Sequence, residues 1–405
     1  MARPYRSGAE RAGRLADDLS AFKKSPGDPA GRRAEAPDVH GLPEGRWLSR
    51  GVYRMEHIFR YGLPYGKREL CSPCGAGRML KLWGGNGTPV FLDTETTGLS
   101  GGTGTYAFLV GIGVCRGDSF SVVQLFLSGP AWEREWLAAL EAELPESFGL
   151  VTYNGRAFDL PLLRARYTLS RAAPSWDGAP HMDLLTLARH FYRDRLESCS
   201  LSSMERNILG LARSGCDVPG YEIPRIYAQF LHSHDARPLH GIFYHNTLDI
   251  VSLAALQVYI AELIQGRCGS AEDLLRAGDL WKAKGFFENA FALWRASLRF
   301  GRGKGGALLR LAEAEKAAGN FSAAHSYYEE ALAFERRPTA VLEALAKLEE
   351  HRLDDCAAAL SHAMRALRWL ENHRVFRDAR WEEERRNFRH RIERLERKLS
   401  CRNAE

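Results

Sequence analysis

The chain has 405 residues, 45% of them hydrophobic and 26% charged. That excludes a wholly disordered polymer and exceeds one ordinary domain, so two folded units and a tail are expected. Fifty-six basic residues against 50 acidic ones leave a formal +6, a lean towards polyanions too weak to define a class by itself. Eight sparse, irregularly spaced cysteines fit a reducing cytoplasm better than a disulfide framework. No charged n-region followed by an apolar h-region opens the chain. Its longest near-apolar run, residues 106–114, is too short to span a bilayer, so neither secretion nor a membrane is expected.

In chain order, residues 1–45 combine a short amphipathic stretch with a run rich in Pro, Gly and charge, which predicts a flexible basic arm. Residues 46–266 alternate between strand and helix signals. Residues 90–93 form a short apolar strand, and 105–115 and 119–127 read as strands joined by a hairpin at Arg116-Gly117-Asp118. Residues 132–144 predict a helix, 150–153 a strand, and 160–168, 182–192 and 245–263 further helices. The expected class is a mixed sheet flanked by helices, an α/β domain.

Residues 267–370 lose the strand signals and gain an internal repeat of period 34. Leu274, Leu308 and Leu342 are in register, as are Gly278, Ala312 and Ala346, and Ala290, Ala324 and Ala358. Gly285 matches Gly319, Phe287 matches Phe321, and Trp294 matches Tyr328. In a third, degenerate unit Leu353, Asp355 and His362 stand in place of the Gly, the Phe and the aromatic. Small residues at fixed places let paired helices approach, and the aromatics fill the space beside them. The pattern resembles the tetratricopeptide repeat. Residues 371–405 form a charged helix with Phe388, Ile392, Leu395 and Leu399 on one stripe, a cap for the stack.

Three motifs carry chemistry. In Phe91-Leu-Asp-Thr-Glu-Thr-Thr-Gly-Leu99, Asp93 and Glu95 are two apart on a strand, so both carboxylates leave one face. Two desolvated acids side by side repel, and a divalent cation with hard oxygen ligands relieves that cost. In Val151-Thr-Tyr-Asn-Gly-Arg-Ala-Phe-Asp-Leu-Pro161, Asp159 stands where the next helix begins, as a helix cap or a ligand. In Tyr244-His-Asn-Thr-Leu-Asp249, His245 and Asp249 are four apart and share a helical face. Asp183 reads as a helix-start cap. The isolated Cys71-x-x-Cys74 pair lacks the second pair a zinc site needs. Arg156, Arg164, Arg166, Arg171 and Arg189 are read as solvated side chains or a phosphate track.

Taken in order, these motifs resemble the DEDD superfamily of 3′–5′ exonucleases, which have a ribonuclease H-like fold. The run Thr97-Gly-Leu-Ser-Gly-Gly-Thr-Gly-Thr-Tyr106 is similar to the YprB-type branch, and so is the helical tail. The resemblance implies that Asp93, Glu95, Asp159 and Asp249 bind two Mg²⁺ or Mn²⁺ ions, about 3.5–4 Å apart in such sites. It further implies hydrolysis of a nucleic acid, DNA or RNA, from a free 3′ end to nucleoside 5′-monophosphates. Thr96, Thr97, Leu99, Asn154 and Phe158 are placed against the terminal nucleotide by the same resemblance.

The sequence departs from the family at one point. The superfamily has a Tyr four residues before the last Asp or a His five before it, whereas here His245 is four back and Tyr244 five back. At about 100° per residue His245 lies about 40° from Asp249 around the helix and Tyr244 about 140°. His245 is therefore expected to position the water or act as base, with a pKa suited to neutral pH, and Tyr244 is its rival. A structure-selective endonuclease on the same fold would use the same acids, and a helical-repeat scaffold with a vestigial nuclease domain is a further reading, against which the retention of all four acids argues. The repeats are candidates to bind a protein partner or to grip the substrate.

Overall fold

The computed structural model describes residues 38–73, 88–98, 104–213, 217–301, 303–373 and 379–402. The expected arm up to residue 37 lies outside the described residues, and so do Leu99 and Cys74. The chain divides into one unit up to Ala261 and another from Glu262.

The first unit is built on a seven-stranded sheet. β1 (Arg46–Ser49) and β2 (Val52–Arg60) open it, and β3 (Pro64–Tyr65) and β4 (Arg68–Glu69) form a separate small ribbon. β5 (Thr88–Thr96), β6 (Ala107–Arg116), β7 (Ser119–Leu127), β8 (Phe148–Thr152) and β9 (His181–Asp183) follow, in the spatial order β1-β2-β7-β6-β5-β8-β9. β5, β8 and β9 run parallel, and the remaining neighbours are antiparallel. The β6–β7 hairpin turns at Gly117, whose φ of +56° is readily adopted only without a Cβ.

Helices α1 (Glu133–Glu143), α2 (Asp159–Leu169), α3 (Leu184–Tyr192), the single turn α4 (Leu201–Met204), α5 (Ile223–Ser233) and α6 (His240–Ile264) accompany the sheet. This is the mixed sheet flanked by helices expected from the strand–helix alternation, and the ribonuclease H-like arrangement that the resemblance implies. Val90, Leu92, Ile112, Trp136, Leu163 and Phe243 lie in one core cluster. Each such side chain contributes about 1.5–3 kcal/mol by leaving water. The Trp136 indole N–H is satisfied by donating to the Leu125 carbonyl at 2.9 Å.

Two glycines set the distance between sheet and helix. A Cβ at Gly111 would collide with the Asn246 amide and meet Ile250 Cγ1 at 2.8 Å; at Gly113 it would meet Ile250 Cγ2 at 2.6 Å. The bare backbone of β6 thus lets α6 press directly on the sheet beside β5.

α6 also corrects the sequence reading of apolar runs. The stretch Arg237–Ile264 is long and apolar enough to cross a membrane by length and composition, and most of it is buried inside the protein. Its polar members Asn246, Thr247, Ser252 and Gln257 are buried too, so its apolarity is that of a core helix enclosed on several sides.

The second unit pairs α7 (Ala271–Ala283) with α8 (Phe287–Ser297), α9 (Lys304–Ala317) with α10 (Phe321–Leu332), and α11 (Thr339–Leu348) with α12 (Cys356–Asn372). α13 (Ala379–Arg402) packs on α12. Gly285 and Gly319 take the left-handed turn between helices, both with φ +83°. Gly278 lies so close to the Trp294 indole that a Cβ there would overlap it.

The third pair shifts the register by one. The left-handed position falls on Asp354 (φ +55°) and not on Leu353. The buried small residue equivalent to Ala290 and Ala324 is Ala359, whereas Ala358 is half-buried. The cause is the π-helical turn Glu349–Leu353 that continues α11, which accommodates one extra residue.

Candidate active site

Because β5, β8 and β9 are parallel, their carboxyl ends meet at one edge of the sheet, where open α/β sheets bind ligands. β5 brings Asp93 and Glu95 there, and the turn after β8 brings Asn154 and Asp159. Across this edge α6 carries His245, Asn246 and Asp249.

Each acid has a defined holder. Asp93 accepts from the Asn246 side chain at 2.9 Å, and Asn246 is itself fixed by Gln124, whose amide donates to Asn246 Oδ1 at 2.9 Å. Asp159 accepts from the Thr94 hydroxyl at 2.5 Å and the Thr94 backbone N–H at 3.2 Å. It does not act as the cap of α2, since the capping position is Phe158 and no side chain bonds there. Asp183 does cap α3, accepting from Leu185 N–H at 3.1 Å, and also clamps the turn after β8 through the N–H of Asn154 (2.8 Å) and Arg156 (3.2 Å).

Asp249 is tied to Arg213 and lies 3.5 Å from His245 Nε2. His245 Nε2 is also 3.9 Å from Glu95, and its Nδ1 donates to Asp217 at 2.7 Å. His245 thus faces the acids, and Tyr244, half-buried, precedes it on α6.

Arg213 and Asp217 carry no motif and escape sequence reading. The Arg213 guanidinium forks onto Glu205, with both N–H···O distances 2.7 Å, and also reaches Asp217 at 3.3 Å. Glu205 is 1% exposed and takes a further bond from Ser252, which in turn meets the Tyr65 hydroxyl at 2.7 Å. Arg213 and Asp217 lie outside any helix or strand, where no periodicity marks them. Asn246 could have been found, since it stands inside the third motif three residues before Asp249.

The electrostatics follow from crowding. Burial, reinforced by Asp249, Asp159 and Glu95, lifts the Asp93 carboxyl well above its usual range. Burial pushes Glu95 up to about 8 against the pull of His245, and Asp159 up to about 6 against the Thr94 bonds. For His245 burial works downward, but the Asp217 bond and the charges of Asp249 and Glu95 outweigh it and raise the imidazole to about 9. Asp217 and the neighbouring acids thus hold this ring above the ordinary imidazole value expected from the sequence.

The donor set fits divalent cations. The acids are hard oxygen ligands, and burial together with the charges of neighbouring acids raises the pKa of three of them, a cost that a bound cation would relieve. Their oxygens do not close on a single point, however. Among the described residues, the trio whose ligand atoms all lie within 4.8 Å of one another is in the helical unit, while Asp249 is engaged by the Arg213 guanidinium.

Of the residues placed against substrate by resemblance, Phe158 is 57% exposed and Asn154 sits at φ +65° in the turn after β8. The Thr96 hydroxyl donates to the Gly98 carbonyl at 2.8 Å, and that of Thr97 accepts from Tyr106 N–H at 3.2 Å, so both brace the turn after β5. Arg164 and Arg166 bind Asp177 (2.7 Å) and Glu133 (2.6 Å), which takes them out of a free phosphate track.

Known proteins share this region. The chain is 37% identical over 175 residues to the uncharacterized protein YprB of Bacillus subtilis (strain 168), an alignment covering 43% of this chain and 42% of that protein. The chain thus spans less than half the length of the relative it matches. Residues 90–261, from the middle of the sheet to the end of the first unit, match the RNase H superfamily, and the first unit carries a domain of that fold.

Proposed function

We propose that the protein is a divalent-metal-dependent 3′–5′ exonuclease of the DEDD type, hydrolysing DNA or RNA by a two-metal mechanism. The observation that carries this reading is the convergence of Asp93, Glu95, Asp159 and Asp249, from three separate segments, on the His245 face of α6. Asp93, Glu95, Asp159 and Asp249 would hold two Mg²⁺ or Mn²⁺ ions. Such ions lower the repulsion between an anionic phosphodiester and an incoming hydroxide and stabilise the departing 3′ oxygen.

The residues of the chain supply the rest. Asn246 and Thr94 fix the orientation of Asp93 and Asp159. Neutralising Glu95 and Asp249 removes two of the three influences that keep His245 protonated, leaving the Asp217 bond to hold Nδ1–H and turn Nε2 towards the reacting water. Water attacks phosphorus, the P–O3′ bond breaks, its proton balance is closed on the 3′ oxygen, and a nucleoside 5′-monophosphate leaves. Exposed Phe158 supplies an apolar surface on which a terminal base can stack.

The tetratricopeptide-like helices would recruit a protein partner or grip the substrate in the cytoplasm. The test is incubation of 5′-labelled linear DNA and RNA and of a circular single strand with Mg²⁺ or Mn²⁺. A ladder shortening from the 3′ end with the circle intact is expected. Cutting of the circle would make the enzyme an endonuclease.

A further inference from the structure

The helical unit contains a second group of ligand-type side chains, which the nuclease reading does not use. His325 and Glu329 stand one turn apart on α10, Glu349 opens the π-helical turn after α11, and His362 lies on α12. The ligand atoms of His325, Glu329 and Glu349 all lie within 4.8 Å of one another. His325 Nε2 is 2.8 Å from Glu349 Oε1. His362 bridges the two acids, with Nδ1 2.8 Å from Glu349 Oε2 and Nε2 2.9 Å from Glu329 Oε1.

Two features distinguish this cluster from a surface ion pair. Glu349 is 1% exposed, and each of its carboxyl oxygens faces an imidazole. Its neighbour Glu350, equally enclosed, is instead matched by Arg391, Arg394 and Lys398 at 3.2, 2.6 and 2.8 Å. The repeat is also broken at this place. The π-turn that presents Glu349 costs the third helix pair its 34-residue register, so that buried Ala363 takes the position of the buried aromatics Trp294 and Tyr328, and His362, beside it, is buried as well. π-turns cluster at functional sites because they are otherwise unfavourable.

We propose that His325, Glu329 and Glu349 bind one divalent transition-metal ion of the zinc class, with His362 as the positioning residue for both carboxylates. One imidazole nitrogen and two carboxylates suit Zn²⁺ or Co²⁺, whereas Mg²⁺ keeps waters and prefers oxygen alone. Entry is from the solvent side, where the side chains of His325 and Glu329 are 30% and 39% exposed. Binding displaces the proton between His325 Nε2 and Glu349 and leaves a coordination position to water. The ion would fasten α10 to the third helix pair and stabilise the unit by mass action.

The experiment titrates Zn²⁺ calorimetrically, and Co²⁺ by its visible absorption, into the full chain carrying Asp93→Asn and Asp249→Asn to weaken the nuclease site. One equivalent is expected to bind, to raise the melting temperature of the helical unit, and to be lost on Glu329→Gln or His325→Gln. His362→Gln is expected to lower metal-free melting, since Glu349 loses one of its two imidazole partners, and, at a temperature where the variant is folded, to weaken binding about 10–100-fold. Absence of zinc binding in the parent would overturn the proposal and make the cluster a network of imidazolium–carboxylate pairs. Equal affinity in Glu329→Gln and His325→Gln would overturn it as well.

Discussion

At the residue scale, the site is an excess of negative charge held together by one guanidinium and one imidazole. Arg213 is the least replaceable of these, because Glu205 beneath it is 1% exposed and would be left buried without its partner. Arg213→Ala is expected to cost about 3–5 kcal/mol of stability, measured by denaturant unfolding. Adding Glu205→Gln should return part of it, and no recovery would place the role of Arg213 elsewhere. The same geometry separates His245 from Tyr244. His245→Ala should lower metal-dependent cleavage about 10²–10⁴-fold, while Tyr244→Phe should stay within a few-fold; the reverse order of effects would assign the water to the tyrosine.

Asp93 and Glu95 stand out in the sequence because paired acids at an apolar strand end make no sense as packing, whereas Asp159, His245 and Asp249 are reached only through the order of the motifs and the resemblance they carry. Arg213 and Asp217 are not legible, because irregular backbone carries no periodic signal. The upward pull on the His245 imidazole is not readable either, because part of it comes from Asp217, 28 residues away in sequence and 2.7 Å distant.

At the scale of elements, hydrophobic runs located β5 to β8 and the long helices, since these strands are buried over most of their length and apolar nearly throughout. β9 was absorbed into the following helix because three residues, His181–Asp183, give no period of their own. β2 was missed although it pairs along its whole length with β7, because its alternation is interrupted by the polar run Arg54, Glu56 and His57. The period of 34 in the sequence and the third helix pair differ in register by one residue, where the π-turn, which has no sequence signature, intervenes.

β2 also makes a pH prediction. His57 is held below its ordinary 6.5 by loss of hydration, which Glu56 and the Gln124 bond only partly offset. The folded form therefore keeps the ring neutral, while the unfolded chain takes up a proton as pH falls through about 6.5. The His57 contribution is full above that pH and declines below it. The melting temperature of wild type relative to His57→Gln should fall between pH 7.5 and pH 5; a constant difference would show that burial does not depress this imidazole.

At the scale of the whole molecule, the two units divide the chemistry. The ribonuclease H-like unit gathers acids at the carboxyl ends of its parallel strands, and the helical unit offers repeated surfaces and a compact His–Glu cluster. Composition could indicate the two classes of unit, and the order of the three motifs could indicate the site. The bonds that orient each acid depend on which strand neighbours which, and so become visible only in three dimensions.

The central claim, that Asp93, Glu95, Asp159 and Asp249 form a cation-dependent nuclease centre, is tested most directly by the cleavage rate of a 5′-labelled single strand in Mn²⁺ and in EDTA, for wild type and Asp93→Asn. The account predicts shortening from the 3′ end in Mn²⁺ alone, and a loss in the variant of about a thousand-fold or more, equivalent to about 4 kcal/mol of barrier. Cleavage that survives EDTA, or is equal in Asp93→Asn, would contradict it.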